Sequence, residues 1–126
     1  MLGGTLYLSG LWPPMSEAVR YLMAYANSYG LSGSVVSGYR SFREQVELYQ
    51  KGRSTSEVIN RVAKHGAGGT VTDAYAGESA HNYGLAVDIE GPNQAEILEL
   101  AVAIGFQTVT WDPAHIEWPN WRSLFR

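Results

Sequence analysis

Apolar residues first recur at helical spacing after Pro13-Pro14, a pair suited to a helix start. Val19, Leu22, Met23 and Ala26 fall on one side, and Gly30 marks the stop, so a helix is expected over residues 13–30. Gly33 and Gly38 bracket Ser-Val-Val-Ser, a short strand. Ser41 and Glu44 stand three apart before Val46, Leu48 and Tyr49, the spacing of a capping box, and Gly52 ends that helix. Ser54 and Glu57 repeat the signal, with Val58, Ile59 and Val62 as the apolar side of a helix reaching Gly66. Residues 66–79 hold four glycines and no period, which predicts a long loop of the kind that often carries function. Leu85, Val87 and Ile89 then alternate with Ala86 and Asp88, the period of a strand. Asn93 to Glu96 reads as the cap of a last helix, with Ile97, Leu100, Ala101 and Ile104 as its buried stripe and Gly105 at its close. Residues 106–110 and 114–118 are two further strand candidates. Helices first and strands clustered later, joined by short connections, predict an α+β fold: a small antiparallel sheet with helices packed on one face.

The chain has 126 residues, 45% of them hydrophobic, which suits one domain with a sizeable core. Nine basic against twelve acidic residues, with no basic run, argue against nucleic-acid binding and against a polybasic membrane face. No stretch has the length of a membrane-spanning helix. Residues 1–16 carry no charge and are broken by Gly3, Gly4, Gly10, Pro13 and Pro14, so they make a poor signal peptide. Cysteine is absent, which excludes thiolate catalysis and Cys-based metal sites. Any metal must rest on His, Asp or Glu, and there are only three histidines, His65, His81 and His115.

Asp88 sits on the minority face of an apolar strand, where an ionised carboxylate is costly unless paired. His81 lies seven positions earlier, and a turn at Gly84 would fold it back so that both share one cation. His115 shares a strand face with Glu117, and Asp112 stands three residues upstream beyond Pro113, within reach of a metal-held water. Two imidazoles and one carboxylate form a set used for catalytic zinc, with a fourth position open to water. Such chemistry also needs a base and a donor for the oxyanion, and Arg40 is a candidate for the donor. No H-E-x-x-H occurs, which excludes a helical zincin site. Each residue also has an ordinary reading. A strand-edge His is commonly a surface or hydrogen-bonded core residue, Asp-Pro commonly opens a turn, and Arg40 would serve as a surface residue beside a capping box. His65, after Lys64 at an expected helix end, reads as a cation on the helix dipole. Trp111, Trp118 and Trp121 read as core and rim packing, and Glu47, Glu57, Glu96 and Glu99 as solvated helix faces.

Three segments together resemble the LAS-type zinc peptidases, the D-alanyl-D-alanine carboxypeptidase or VanY-like group. Ser79-Ala-His-Asn-Tyr-Gly-Leu-Ala-Val-Asp-Ile89 is similar to their S-x-H-x-x-G-x-A-x-D segment. Asp112-Pro-Ala-His-Ile-Glu-Trp118 is similar to their D/E-x-x-H segment, and Ser37-Gly-Tyr-Arg-Ser-Phe-Arg-Glu-Gln45 to the segment carrying their arginine. The resemblance implies a hedgehog/DD-peptidase-like fold and one zinc peptidase catalytic domain over residues 1–126. It implies Zn²⁺ on His81, Asp88 and His115, Asp112 as general base, Arg40 on the substrate carbonyl or oxyanion, and Ser79 against substrate. Val71-Thr-Asp-Ala74 running into Ser79, and Asp instead of Glu at 112, lie closest to the L-alanyl-D-glutamate endopeptidases of phage endolysins. The expected partner is the stem peptide of bacterial peptidoglycan, with no nucleic acid and no membrane insertion, and the expected form is a monomer. The expected route is synthesis in the host cytoplasm without a signal peptide, then action on the wall as a phage lysis or virion-associated protein. A D-alanyl-D-alanine carboxypeptidase with the same site, or a non-catalytic zinc-bearing wall or virion module, are the alternatives.

Overall fold

The structure is a computed structural model that describes residues 4–125; residues 1–3 of the uncharged N-terminal stretch, Gly3 among them, and residue 126 lie outside the described residues. Four helices, α1 (Pro13–Ser28), α2 (Phe42–Gln50), α3 (Thr55–Ile59) and α4 (Gln94–Ala103), accompany four strands, β1 (Ser34–Ser37), β2 (Ala86–Glu90), β3 (Gln107–Val109) and β4 (Asp112–Glu117). The strands form one sheet in the order β1-β2-β4-β3, and every neighbouring pair is antiparallel. The expected α+β architecture is therefore present. Among the described residues no helix is long and apolar enough to cross a membrane.

Alternation along the strands decides which face is buried. Val35, Val87, Ile89 and Ile116 join Met15, Val19, Leu22, Met23 and Ala26 of α1 and Ile97 and Ala101 of α4 in one core. By the two-residue period, Asp88 and His115 point to the opposite face. The core thus holds β2 and β4 from behind and leaves their polar side chains facing a cleft.

Both predicted capping boxes form, Ser41 with Glu44 and Ser54 with Glu57, each closing a reciprocal pair of hydrogen bonds. Two helix expectations need correction. Helix α3 stops at Ile59 instead of running to Gly66, because Arg61 takes a left-handed φ of 54°. Its N–H bonds Val58 O and that of Val62 bonds Glu57 O, a Schellman stop built without glycine. Ile59 is consequently 72% exposed, so the apolar side expected there is not a core face. His65 therefore ends no helix; its backbone N–H and Nδ1 both face Asp73 Oδ2, at 2.9 and 3.0 Å. Helix α4 begins as expected, but Asn93 does not cap it with its side chain. Asn93 Oδ1 instead accepts from Ser32 N at 2.8 Å and ties the helix start to the segment leading into β1. Ile104, placed in the buried stripe of α4, lies past its end and is exposed.

Candidate active site

A cleft of about 330 Å³ opens on the polar face of the sheet, lined by residues from four separate segments. Asp88 on β2 and His115 on β4 are direct cross-strand partners, so the sheet register itself sets them side by side. The β1 strand is bulged opposite Asp88, between Val35 and Ser37, a common device for re-aiming a strand next to a site.

His81 arrives from a single 3-10 turn, Ala80–Tyr83. Ser79 caps that turn, its Oγ accepting from His81 N at 3.2 Å, while Asn82 Oδ1 accepts from Ser79 N and Gly77 N. Gly84 ends the turn at φ 70°, and a Cβ there would stand 2.7 Å from Trp12 N and 2.8 Å from Gly10 O. Only glycine permits both that backbone and that crossing, so the fold-back expected at Gly84 is built on the absence of a side chain.

The two imidazoles present different nitrogens. His81 Nδ1 lies 2.8 Å from Gly38 O, and a carbonyl only accepts, so Nδ1 carries the proton and Nε2 has a free lone pair. His115 Nε2 lies 2.7 Å from Glu117 Oε1, so in the neutral imidazole the carboxylate holds the proton there and Nδ1 is the nitrogen able to ligate. Those two nitrogens, His81 Nε2 and His115 Nδ1, face one oxygen, Asp88 Oδ1, at 3.4 and 3.6 Å. This oxygen is buried and has no hydrogen-bond partner among the described residues. The three donor atoms lie within 4.8 Å of one another. Two ligands on a tetrahedral zinc at about 2.0–2.1 Å stand about 3.4 Å apart. The two separations from Asp88 Oδ1 are close to the edge of such a shell, and the orphaned carboxylate oxygen suits a shared cation. No fourth His, Asp or Glu joins the group among the described residues.

Charge follows the same geometry. Burial works against an ionised Asp88, but His115 and His81 outweigh it and hold its carboxyl well below the usual range. Burial likewise works against a charged His115, yet Asp88 and Glu117 push its pKa up to about 9. Without metal, a proton on His115 balances the carboxylates on either side.

The remaining expected residues also line this cleft. Asp112 opens β4 and accepts from Ala114 N at 3.1 Å across Pro113, which sets its carboxylate. Arg40 follows β1; its backbone N–H bonds His81 O at 3.0 Å, and its guanidinium reaches Asp88 Oδ2 at 4.0 Å. Ser79 lines the cleft while its Oγ accepts in the cap described above.

Several contributors carried no local signal. Gln45, fully buried on α2, accepts from Arg40 NH1 at 3.1 Å and donates to Ala74 O at 2.7 Å, tying the guanidinium to the long loop. It is a polar residue on the inner side of a helix, and that inconsistency is the one hint the sequence offers. Arg53, whose side chain is fully buried, pairs with Asp73 and donates to Tyr49 O, Val62 O and Thr72 O. Gly52 lets the same loop approach closely, since a Cβ there would stand 2.4 Å from Thr70 N. This clamp holds Val71, Thr72 and Ala74 as one wall of the cleft. Trp121 is buried, and Trp118 packs edge-on against Trp12 with centroids 5.0 Å apart, as expected of packing residues. Trp111 differs: it is 83% exposed, in the two-residue turn between β3 and β4, on the rim of the cleft.

The sequence profile of the VanY family, described as D-alanyl-D-alanine carboxypeptidase, matches residues 9–118. The chain is 40% identical over 80 residues to the peptidoglycan L-alanyl-D-glutamate endopeptidase CwlK of Bacillus subtilis (strain 168). That match covers 64% of this chain and 41% of CwlK, so the chain spans about two fifths of the length of that curated relative. Two solved structures share the fold. One is a vancomycin-resistance D,D-pentapeptidase VanY variant in complex with Zn(II), with TM-score 0.60 and 22% identity over 88% of this chain and 75% of that one. The other is VanYB in complex with D-alanine-D-alanine, with TM-score 0.63 and 20% identity over 91% of this chain and 75% of that one.

Proposed function

Since the chain belongs to the VanY D-alanyl-D-alanine carboxypeptidase family, we propose that it is a zinc-dependent peptidoglycan peptidase that hydrolyses the L-alanyl-D-glutamate bond of the stem peptide. The observation that carries this reading is the convergence of His81, Asp88 and His115 around a buried carboxylate oxygen with no hydrogen-bond partner among the described residues. The similarity to CwlK supports the choice of bond.

Bound by these three residues, Zn²⁺ supplies Lewis acidity, which makes a water a stronger acid and a carbonyl a better electrophile. The rest is done by this chain. Asp112, in its fixed turn, takes a proton from the attacking water and returns it to the departing amine. Arg40, held by Gln45, donates to the substrate carbonyl oxygen as charge develops there. Ser79 retains a hydroxyl proton to donate to the peptide while its oxygen caps the turn under His81. Glu117 and Gly38 O hold the imidazoles in their tautomers. The proposed place of work is the bacterial wall, in a phage lysis or virion-associated role.

The test is a digest of purified sacculi, with products resolved by mass spectrometry, in protein stripped by chelator and then given zinc. Scission between L-Ala and D-Glu that needs zinc supports the proposal. Release of terminal D-Ala alone assigns a carboxypeptidase instead. Intact stems after long digestion with the zinc-loaded protein overturn a peptidase reading altogether.

A further inference from the structure

Part of the cleft's rim is apolar, beside the charged Glu78 and Arg122 that also line it. Val71, 59% exposed, stands on the loop wall, and Val109 and Trp111 stand on the β3–β4 hairpin. Trp111 has no ring contact or cation partner among the described residues, although each of the other three tryptophans is partly or wholly packed. A large indole left in water at a turn contributes nothing to the core, but it is a ready face for a ligand. Its position narrows the ligand. Trp111 directly precedes Asp112, the first residue of β4, and lines the same cleft as Asp112 and His115. The L-alanine of the stem is joined through a lactyl group to a muramyl sugar. A cut after that alanine therefore leaves the sugar ring about 7–10 Å from the scissile carbon. A cut between the terminal D-alanines would leave it more than about 15 Å away.

We propose that Trp111 stacks on the N-acetylated sugar that carries the stem peptide, so that the cleft reads the glycan end of its substrate as well as the peptide. This inference rests on the endopeptidase reading above.

Two stem tetrapeptides test it, one bearing N-acetylmuramyl on L-Ala and one bearing plain acetyl. The wild type is expected to favour the muramyl peptide about tenfold in kcat/KM, mainly through KM. Trp111→Ala is expected to bring that ratio near one, and Trp111→Phe to leave an intermediate value. A ratio that stays the same in Trp111→Ala overturns the inference and leaves the endopeptidase reading standing. A wild type that cuts neither peptide overturns the endopeptidase reading. In that case a fluorescence titration with N-acetylmuramyl-L-alanine still decides the role of Trp111. A saturating indole response that is lost in Trp111→Phe supports stacking, and an absent or unchanged response overturns it.

Discussion

Zinc uptake is predicted to displace close to one proton from His115, and pH is the perturbation that exposes it. In the metal-free protein the Asp88 and Glu117 carboxylates raise this imidazole's pKa to about 9 against its burial. Asp88 is already ionised at neutral pH and has no proton to lose. At pH 7 about one His115 in a hundred is neutral and able to ligate. The apparent zinc affinity should therefore lie ~100-fold below its high-pH limit and climb about tenfold per pH unit between about 7 and 8.5. Competition against a chelator of known affinity measures the slope. Calorimetry in two buffers of different ionisation enthalpy counts the protons released. Glu117→Gln keeps a hydrogen-bond acceptor but removes one carboxylate, so it should lower the His115 pKa and move the rise in affinity to lower pH. The same proton acts on folding. Its pKa is about 9 folded against 6.5 for an ordinary imidazole, so the charged form stabilises the metal-free fold in full below about pH 6.5. That contribution, roughly 3 kcal/mol, fades as pH rises through about 9. The melting temperature of the chelated protein should fall across this window. A proton count near zero at pH 7.5, with affinity flat from pH 7 to 8.5, would show that His115 is already neutral and refute the reasoning.

Three other outcomes are expected. Asp112→Asn should bind zinc with unchanged stoichiometry, read by elemental analysis, yet cut stem peptides about 10²–10⁴-fold more slowly. Asp73→Ala should leave the buried Arg53 guanidinium without its carboxylate and cost about 3 kcal/mol in denaturant unfolding, with limited proteolysis appearing in residues 64–74. Gly84→Ala should cost about 2 kcal/mol or more, because the new methyl meets Trp12 N and Gly10 O at a φ of 70°, and zinc affinity should drop with it as His81 shifts.

Local chemistry was legible in the sequence wherever a pattern closes within a few residues. The capping boxes at Ser41 and Ser54, the stripe of α1 and the alternation in β2 all need only their neighbours, and all are present. His81, Asp88 and His115 were legible as a set because three motifs agreed, and the structure brings them together. What stayed hidden depends on partners far along the chain. Asn93 carries a helix-cap residue type, yet Ser32, 61 positions away, takes its side chain. Arg53 looks like a solvent-facing loop residue until Thr72 and Asp73 fold over it, and Gln45, on the inner side of α2, finds its acceptor only when Ala74 does the same. Arg61 gave no warning that it would replace glycine at the end of α3. Trp111 shows the reverse error, an aromatic assigned to packing that the hairpin instead carries into solvent.

The pairing of Asp88 with His115 has a consequence for assembly fidelity. Sliding β2 past β4 by one position would turn the carboxylate toward Val87's side of the sheet, among aliphatic groups, where it has no counter-charge. Mispaired sheets are thus penalised by the oily layer behind them, so core residues that lie outside the cleft select the register that sets His115 beside Asp88.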